Sequence, residues 1–218
     1  MLRRTSWAQA LSDENFARAR EGTVERLVPA GSYVCHKGEP VDHWHGVIEG
    51  LVKMSSDWAT GKTASFTGIA AGGWFGEGSM LKAEPRRYDV VALRDSRIAC
   101  VKRETFHWLL DNSIAFNRFV INQINERLGL FIGLLESERL LDIDARVART
   151  LAALFHPVLQ PGIEARIAIS QEEIGYLAGV SRQRVNKSLR LLEADGFLTT
   201  QYGGVTVLDL DGLRRFGG

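Results

Sequence analysis

The sequence predicts an α+β chain: an N-terminal antiparallel β-roll, a long helix, and a C-terminal winged helix-turn-helix. Three observations carry this. Short apolar runs broken by turn residues fill the stretch from Pro29 to Lys102. An apolar seam with heptad steps runs along Ser113 to Leu140. Two helix-capping signatures flank a glycine turn between Ser170 and Glu193.

Composition sets the bounds. The 218 residues suffice for one large domain or two small ones. A net charge of +1 announces no nucleic-acid binder, so positive charge for such a partner must be local. From Arg182 to Arg190 there are four cations and no acid. Cys35 and Cys100 are too few for a disulfide framework and lie in strand-like segments, where buried thiols are expected. Met1 to Ala10 has no apolar core, and no window reaches the roughly 20 apolar residues of a membrane span. A cytoplasmic chain is expected, with no membrane partner.

Residues 1 to 28 read as short helices anchored by Trp7, Leu11, Phe16 and Leu27. Candidate strands follow at Tyr33–His36, Trp44–Glu49, Leu51–Ser55, Thr63–Ile69, Asp89–Leu93 and Arg97–Lys102. Turn signals separate them, among them Gly38-Glu39-Pro40, Glu49-Gly50 and Thr60-Gly61-Lys62. A short helix is expected over Arg103–Asn112, with Ser113 starting the long one. Ile114, Ile121, Ile124, Leu128, Phe131 and Leu135 form its seam, and Asn117 fills the remaining slot, where a polar residue can fix register in a dimer. Phe116, Phe119, Val120, Leu130 and Leu134 make a second stripe able to cover the roll. The resulting division is 1–112 for the roll with its N-terminal helices, 113–140 for the dimerisation helix and 141–218 for the winged helix-turn-helix domain.

Leu141 to Asp144 reads as a hinge, Ala145–Leu154 as a helix and Ile163–Ile169 as a strand. Ser170 caps the next helix, and Glu173 completes a capping box. Gly179 falls where the chain must turn, Val180 plugs the corner, and Ser181 caps a second helix whose inner face is Val185, Leu189 and Leu192. Its front carries Arg182, Gln183, Arg184, Asn186, Lys187 and Arg190. Arg and Lys bond guanine edges, Gln and Asn bond adenine, and spare cations meet phosphate. Gly196 to Val207 reads as the β-hairpin wing, and a last short helix starts near Asp211.

This order resembles the cyclic-AMP receptor protein and fumarate-nitrate regulator (CRP/FNR-type) family of bacterial transcription regulators. The resemblance is carried by Gly38-Glu39, Ile48-Glu49-Gly50, Phe75-Gly76-Glu77, Leu141-Asp142, Glu173-Ile174-Gly175, Gly179-Val180-Ser181-Arg182 and Leu191-Leu192-Glu193. It implies a cyclic-nucleotide-binding-type roll, a homodimer and a palindromic double-stranded DNA operator. It places Arg182 and Lys187 at guanine-reading positions, Gln183 where a base-reading glutamate is usual, and Gln171 at a phosphate contact; Ser181, Arg184 and Asn186 complete the expected DNA-facing set. The loop Val158–Ala165 stands where activators of the family touch RNA polymerase. Gly76, Glu77, Gly78, Ser79, Arg86 and Arg87 resemble the phosphate-binding cassette, with Glu77 on a ribose hydroxyl and Arg86 on a cyclic phosphate. Arg87 replaces a serine of cyclic-AMP sensors, and Phe131 and Ile132 replace two hydroxyl residues. The signal at the roll is therefore expected to be something other than cyclic AMP, either another small effector such as a different nucleotide or no small ligand, and no cofactor is assigned.

Other chemistries leave weaker marks in the chain. An iron–sulfur cluster needs about four cysteines. Nothing in the spacing of His36, His43, His45 and His107 selects a haem ligand. His43-x-His45-x3-Glu49 spells a cupin metal motif, which gives a metal-dependent enzyme as the rival reading. A nucleotide-binding subunit without DNA binding is the third; the complete winged helix weighs against it.

Overall fold

The computed structural model describes residues 2–57, 63–161 and 165–217. A 3-10 turn at Leu2–Arg4 leads into α1 (Ser6–Gln9) and α2 (Asp13–Glu21). Ser12 caps α2 by accepting from the Asn15 amide. Two four-stranded antiparallel sheets then form the roll. One has the order β1 (Thr23–Val28), β8 (Ser96–Lys102), β3 (His43–Glu49) and β6 (Trp74–Phe75). The other has the order β2 (Tyr33–Cys35), β7 (Asp89–Ala92), β4 (Leu51–Asp57) and β5 (Thr63–Ala70). The short α3 (Glu77–Lys82) sits between β6 and β7.

Residues 23–28 correct the expectation of helix. They pair along their length with β8, and Leu27 is 77% exposed rather than an anchor. A strand open on most of its surface lacks the clean apolar alternation that would reveal it. The two-residue β6 is too short to carry any periodic signal.

Helix α4 (Arg103–Asn112) packs back on the roll, and α5 (Ile114–Leu140) follows after Ser113, whose hydroxyl accepts from the Phe116 amide. At 27 residues α5 is roughly 40 Å long. Phe116 and Val120 of its second stripe are buried with Trp7, Trp44, Trp74 and Phe106 in one core, so this face covers the roll. Ring pairs such as Trp7–Trp74, edge to face at 5.2 Å, knit the N-terminal helix into the same core. The roll interior is a separate core around Val52, Met54, Phe75, Val90 and Ile98.

Asp142 caps α6 (Ile143–Ala153) through the Ala145 amide, so the helix starts two residues before the sequence suggests. Then come β9 (Arg166–Ile167), α7 (Gln171–Ala178), α8 (Arg182–Ala194), β10 (Leu198–Gln201), β11 (Gly204–Val207) and α9 (Leu210–Arg215). Residues 163 and 164 of the expected strand lie outside the described residues. β9, β10 and β11 form a small antiparallel sheet, with β11 central. Val147, Leu151, Ile174, Val185, Leu189 and Leu192 fill the C-terminal core, which also takes in Leu51 and Ala70 of the roll. The C-terminal domain is thus docked on its own roll through apolar contact.

Candidate nucleic-acid interface and effector pocket

The two-helix unit is built by local rules. Ser170 accepts from the Glu173 amide while the Glu173 carboxylate accepts from the Ser170 amide, which satisfies two otherwise orphaned donors at the start of α7. Gly179 ends α7 at φ +67°, a left-handed conformation that glycine adopts without steric cost. Ser181 caps α8 through the Arg184 amide. Buried Val185, Leu189 and Leu192 then fix which face of α8 points outward.

Arg182, Gln183, Lys187 and Arg190 are exposed on that face. A groove runs from Ser170 and Gln171 past Arg182 to Gln201, Tyr202 and Gly203 of the wing, and Tyr202 is fully exposed at its tip. Arg184 departs from the expected outward set. Its guanidinium donates to Asp144 Oδ2 at 2.8 Å, and Ser188 donates to Asp144 Oδ1 at 2.6 Å. Arg184 therefore braces α8 on α6, because its position on the helix turns it inward. Asn186 is half-buried.

A second contact holds this unit from outside. Arg94, between β7 and β8, donates from Nε to Glu173 Oε1 at 2.9 Å, and from Nη2 to both carboxylate oxygens at 2.6 Å. The acid that caps α7 is thus also gripped by the roll. No sequence signal links two residues 79 positions apart.

In the roll, a cavity of about 300 Å³ lies between α3 and α5, lined by Glu77, Gly78, Ser79, Arg87, Arg127 and Phe131 among others. Its charged groups already have partners. Glu77 Oε1 accepts from Arg127 Nε at 2.8 Å, while Glu77 Oε2 is buried without a partner among the described residues. Burial, the largest influence, opposes the Arg127 charge, but the charge and hydrogen bond of Glu77 together with Tyr88 raise the guanidinium pKa on balance. Arg87 donates to Glu84. Arg86 does not line the cavity: it donates to the His43 carbonyl at 2.7 Å and meets His45 Nδ1 at 3.2 Å. Gly76, at φ +94°, passes so close to this side chain that a Cβ there would lie 2.9 Å from Arg86 Nη1. Burial, reinforced by Arg86, keeps His45 neutral well below the usual histidine range. The cassette residues therefore split, with Glu77, Gly78, Ser79 and Arg87 facing the cavity and Arg86 turned beneath it.

The cupin spelling does not assemble a metal site. A register shift between Val47 and Glu49 takes the acid off the histidine face, and Glu49 instead lies 3.6 Å from Arg97. No metal-binding cluster of His, Cys, Asp and Glu occurs among the described residues. Both cysteines are buried in the roll core; burial pushes the Cys35 thiol up to about 11 and raises Cys100 as well. Thiols with raised pKa values carry little thiolate at neutral pH and react slowly.

On α5, Ile114, Ile121, Ile124, Leu128 and Leu135 are exposed, forming an apolar stripe along a helix whose Phe116, Val120, Gln123 and Ser137 are buried against its own chain. Asn117 corrects the seam expectation. Its amide donates within the chain, to the carbonyls of Leu110 and Ser113, and so satisfies the end of α4. Phe131 leans from the seam into the roll, packed against the core there. No helix among the described residues is long and apolar enough to cross a membrane.

Residues 25–113 match the cyclic nucleotide-binding domain family, and residues 145–216 match the Crp-like helix-turn-helix domain family. The chain is 29% identical over 173 residues to the cAMP-activated global transcriptional regulator CRP of Haemophilus influenzae, covering 76% of this chain and 75% of that one. It is 27% identical over 191 residues to a CRP-like cAMP-activated global transcriptional regulator of Mycobacterium tuberculosis, covering 86% and 85%. Among solved structures, FixK2 from Bradyrhizobium japonicum shares the fold with a TM-score of 0.74 at 16% identity, over 90% of this chain and 98% of that one. The c-di-GMP responsive regulator CLP of Xanthomonas campestris shares it at 0.63 and 21% identity, over 90% and 99%.

Proposed function

The chain belongs to the CRP/FNR-type family of DNA-binding transcription regulators, and on that premise we propose that it acts as a cytoplasmic homodimer on a palindromic operator. The observation that carries this is the outward face of α8. Arg182, Gln183 and Lys187 stand exposed there beside the groove that runs to the wing. Arg182 and Lys187 read guanine, Gln183 reads the base pair where the family's glutamate would accept from a cytosine amino group, and Gln171 meets phosphate. Ser181 and Asn186 support α8 in the groove, and Arg184 positions the helix through Asp144.

Dimerisation uses the exposed stripe from Ile114 through Ile121, Ile124 and Leu128 to Leu135. An apolar stripe at heptad spacing is an isologous surface, and burying it on a second copy sets two recognition helices about one DNA turn, roughly 34 Å, apart. Three functional segments follow, 1–112, 113–140 and 141–218. RNA polymerase would meet the loop from Val158 to Ala165 away from Leu159 and Gln160, which are buried, with residues 162–164 outside the described residues.

The effector is a small molecule other than cyclic AMP, although relatives are cAMP-activated by name. Three features support this. Glu77 is bound by Arg127, Arg86 is committed to the His43 carbonyl and His45, and Phe131 occupies the helix side of the cavity. The signal passes through the grip of Arg94 on Glu173 and turns the C-terminal domain about Asp142. Selection of binding sites from random DNA, with and without cyclic AMP and cyclic di-GMP, tests the reading. The expected product is a palindrome whose enrichment does not depend on cyclic AMP. Failure to enrich any sequence under all conditions would overturn it.

A further inference from the structure

A second cavity, also about 300 Å³, opens between the C-terminal half of α5 and the C-terminal domain, away from the exposed seam. Gly129 and Gly133, one helical turn apart, open a gap in its α5 wall beside Leu130, Leu134 and Leu140, and nothing lies within 4 Å of where their Cβ atoms would be. Leu134, Leu141 and Ala152 supply apolar lining. Arg149 of α6 and Arg214 of α9 supply cationic lining.

Arg149 is the informative group. Its Nε is buried and has no hydrogen-bond partner among the described residues. No other atom of this guanidinium has a partner among the described residues either, so Arg149 reaches the cavity unpaired and an acceptor there would meet its outer nitrogens. Arg214 already donates to Asp211 at 3.1 Å. His156, at the cavity edge, accepts at Nδ1 from the Val158 and Leu159 amides, which leaves its Nε2 proton facing Glu126 at 3.4 Å. Glu136 is the acid on the lining and limits how much negative charge the cavity will take.

We propose that this cavity is a binding site for a small organic monocarboxylate with a short apolar body. The carboxylate accepts from Arg149, whose planar fork matches two oxygens, and the body lies over the two glycines against the leucines. A phosphate dianion would meet Glu136 and leave the apolar wall uncovered. Because α5 lies on one side and α6 and α9 on the other, an occupant changes how the C-terminal domain sits on the long helix. This last step rests on the DNA-binding reading above.

Calorimetric titration of the full chain with sodium octanoate, and with octan-1-ol as its neutral match, tests the site directly. Octanoate is expected to saturate one site per chain and octanol to bind at least tenfold more weakly. Arg149→Met, which keeps the apolar stem, should weaken octanoate at least tenfold, and Gly133→Leu should abolish binding by filling the groove. Equal affinity of octanoate and octanol, equal affinity of wild type and Arg149→Met, or no saturable binding up to about 10 mM would each overturn the site. A parallel titration of operator DNA separates the two layers. An Arg149-dependent shift in DNA affinity on adding octanoate supports the coupling, and octanoate binding without any shift overturns it. Absence of DNA binding in both arms counts against the regulator reading and leaves the calorimetric result to stand alone.

Discussion

The two ends of the molecule differ in how their charged groups are used. On α8, Arg182, Gln183, Lys187 and Arg190 project into solvent, while the capping and apolar residues beneath them are satisfied within the chain. Around the roll cavity the polarity is reversed: Glu77 Oε1 and Arg87 on its lining, and Arg86 beneath it, have partners before any ligand arrives, which leaves Glu77 Oε2 as the open group. A reading surface is useful when its donors are free, because base edges complete them. A sensing pocket whose donors are spent responds only to a ligand that can outbid Arg127 for Glu77, or that needs neither. On the proposed reading, that contrast is how a cyclic nucleotide-binding fold would keep its frame while answering a ligand other than that of its relatives.

The largest expected effect comes from the seam that joins the two ends. Leu128→Glu should yield monomers by sedimentation and lower affinity for a full palindrome at least about a hundredfold, since linkage of two half-site contacts is worth 10²–10⁴. A stable dimer in that variant places the interface elsewhere. Next is the reading face: Arg182→Ala should cost about 1–3 kcal/mol of specific binding and relax preference at a single base pair. A uniform loss over all sequences would instead mean that Arg182 touches phosphate.

The roll's internal pairing gives a pH signature. Burial, then Arg86, lowers the His45 pKa far below its ordinary value, so the folded chain keeps it neutral where the unfolded chain takes up a proton. Stability is complete above about pH 6.5 and falls below it, by up to about 1.4 kcal/mol per pH unit for this group. His43 and His156, also lowered chiefly by burial, act in the same direction. Urea denaturation at pH 7.5 and 5.5 should therefore show a smaller difference in His45→Gln than in wild type. An unchanged difference would mean that His45 titrates freely.

Smaller effects test the connection between the ends. Arg94→Ala removes a charge-assisted contact at a partly exposed site, worth about 1 kcal/mol after solvent screening. Operator affinity without effector should rise about fivefold, while α7 keeps its cap. Unchanged affinity would show that the roll does not restrain the reading unit. Gln183→Glu should leave affinity nearly intact and move the preferred base pair toward one that offers a cytosine amino group. An identical preference profile would remove Gln183 from base readout.

The same contrast governs what the sequence reveals. Ser170, Glu173, Gly179 and Ser181 act on backbone groups within four residues, so the two-helix unit is legible from one-dimensional spacing. The strands β3, β4, β5, β7 and β8 are legible because each has a buried side. β1 is not, since most of its side chains meet solvent. Side-chain partners chosen across the fold leave no local trace. Arg94 finds Glu173, Arg127 finds Glu77, and Arg86 finds His45, at separations of 79, 50 and 41 positions. Those three pairings decide the character of the pocket and its tie to α7. Asn117 and Arg184 fail for a related reason: helical position alone does not tell whether a polar group meets solvent, a partner helix or an orphaned carbonyl.

The most direct measurement is a stoichiometric titration of the selected palindrome against a duplex carrying a single half-site. Two chains should bind the palindrome, with affinity at least about a hundredfold above the half-site. One chain per duplex, with equal affinity for both DNAs, would contradict a dimeric reader built on α5 and α8.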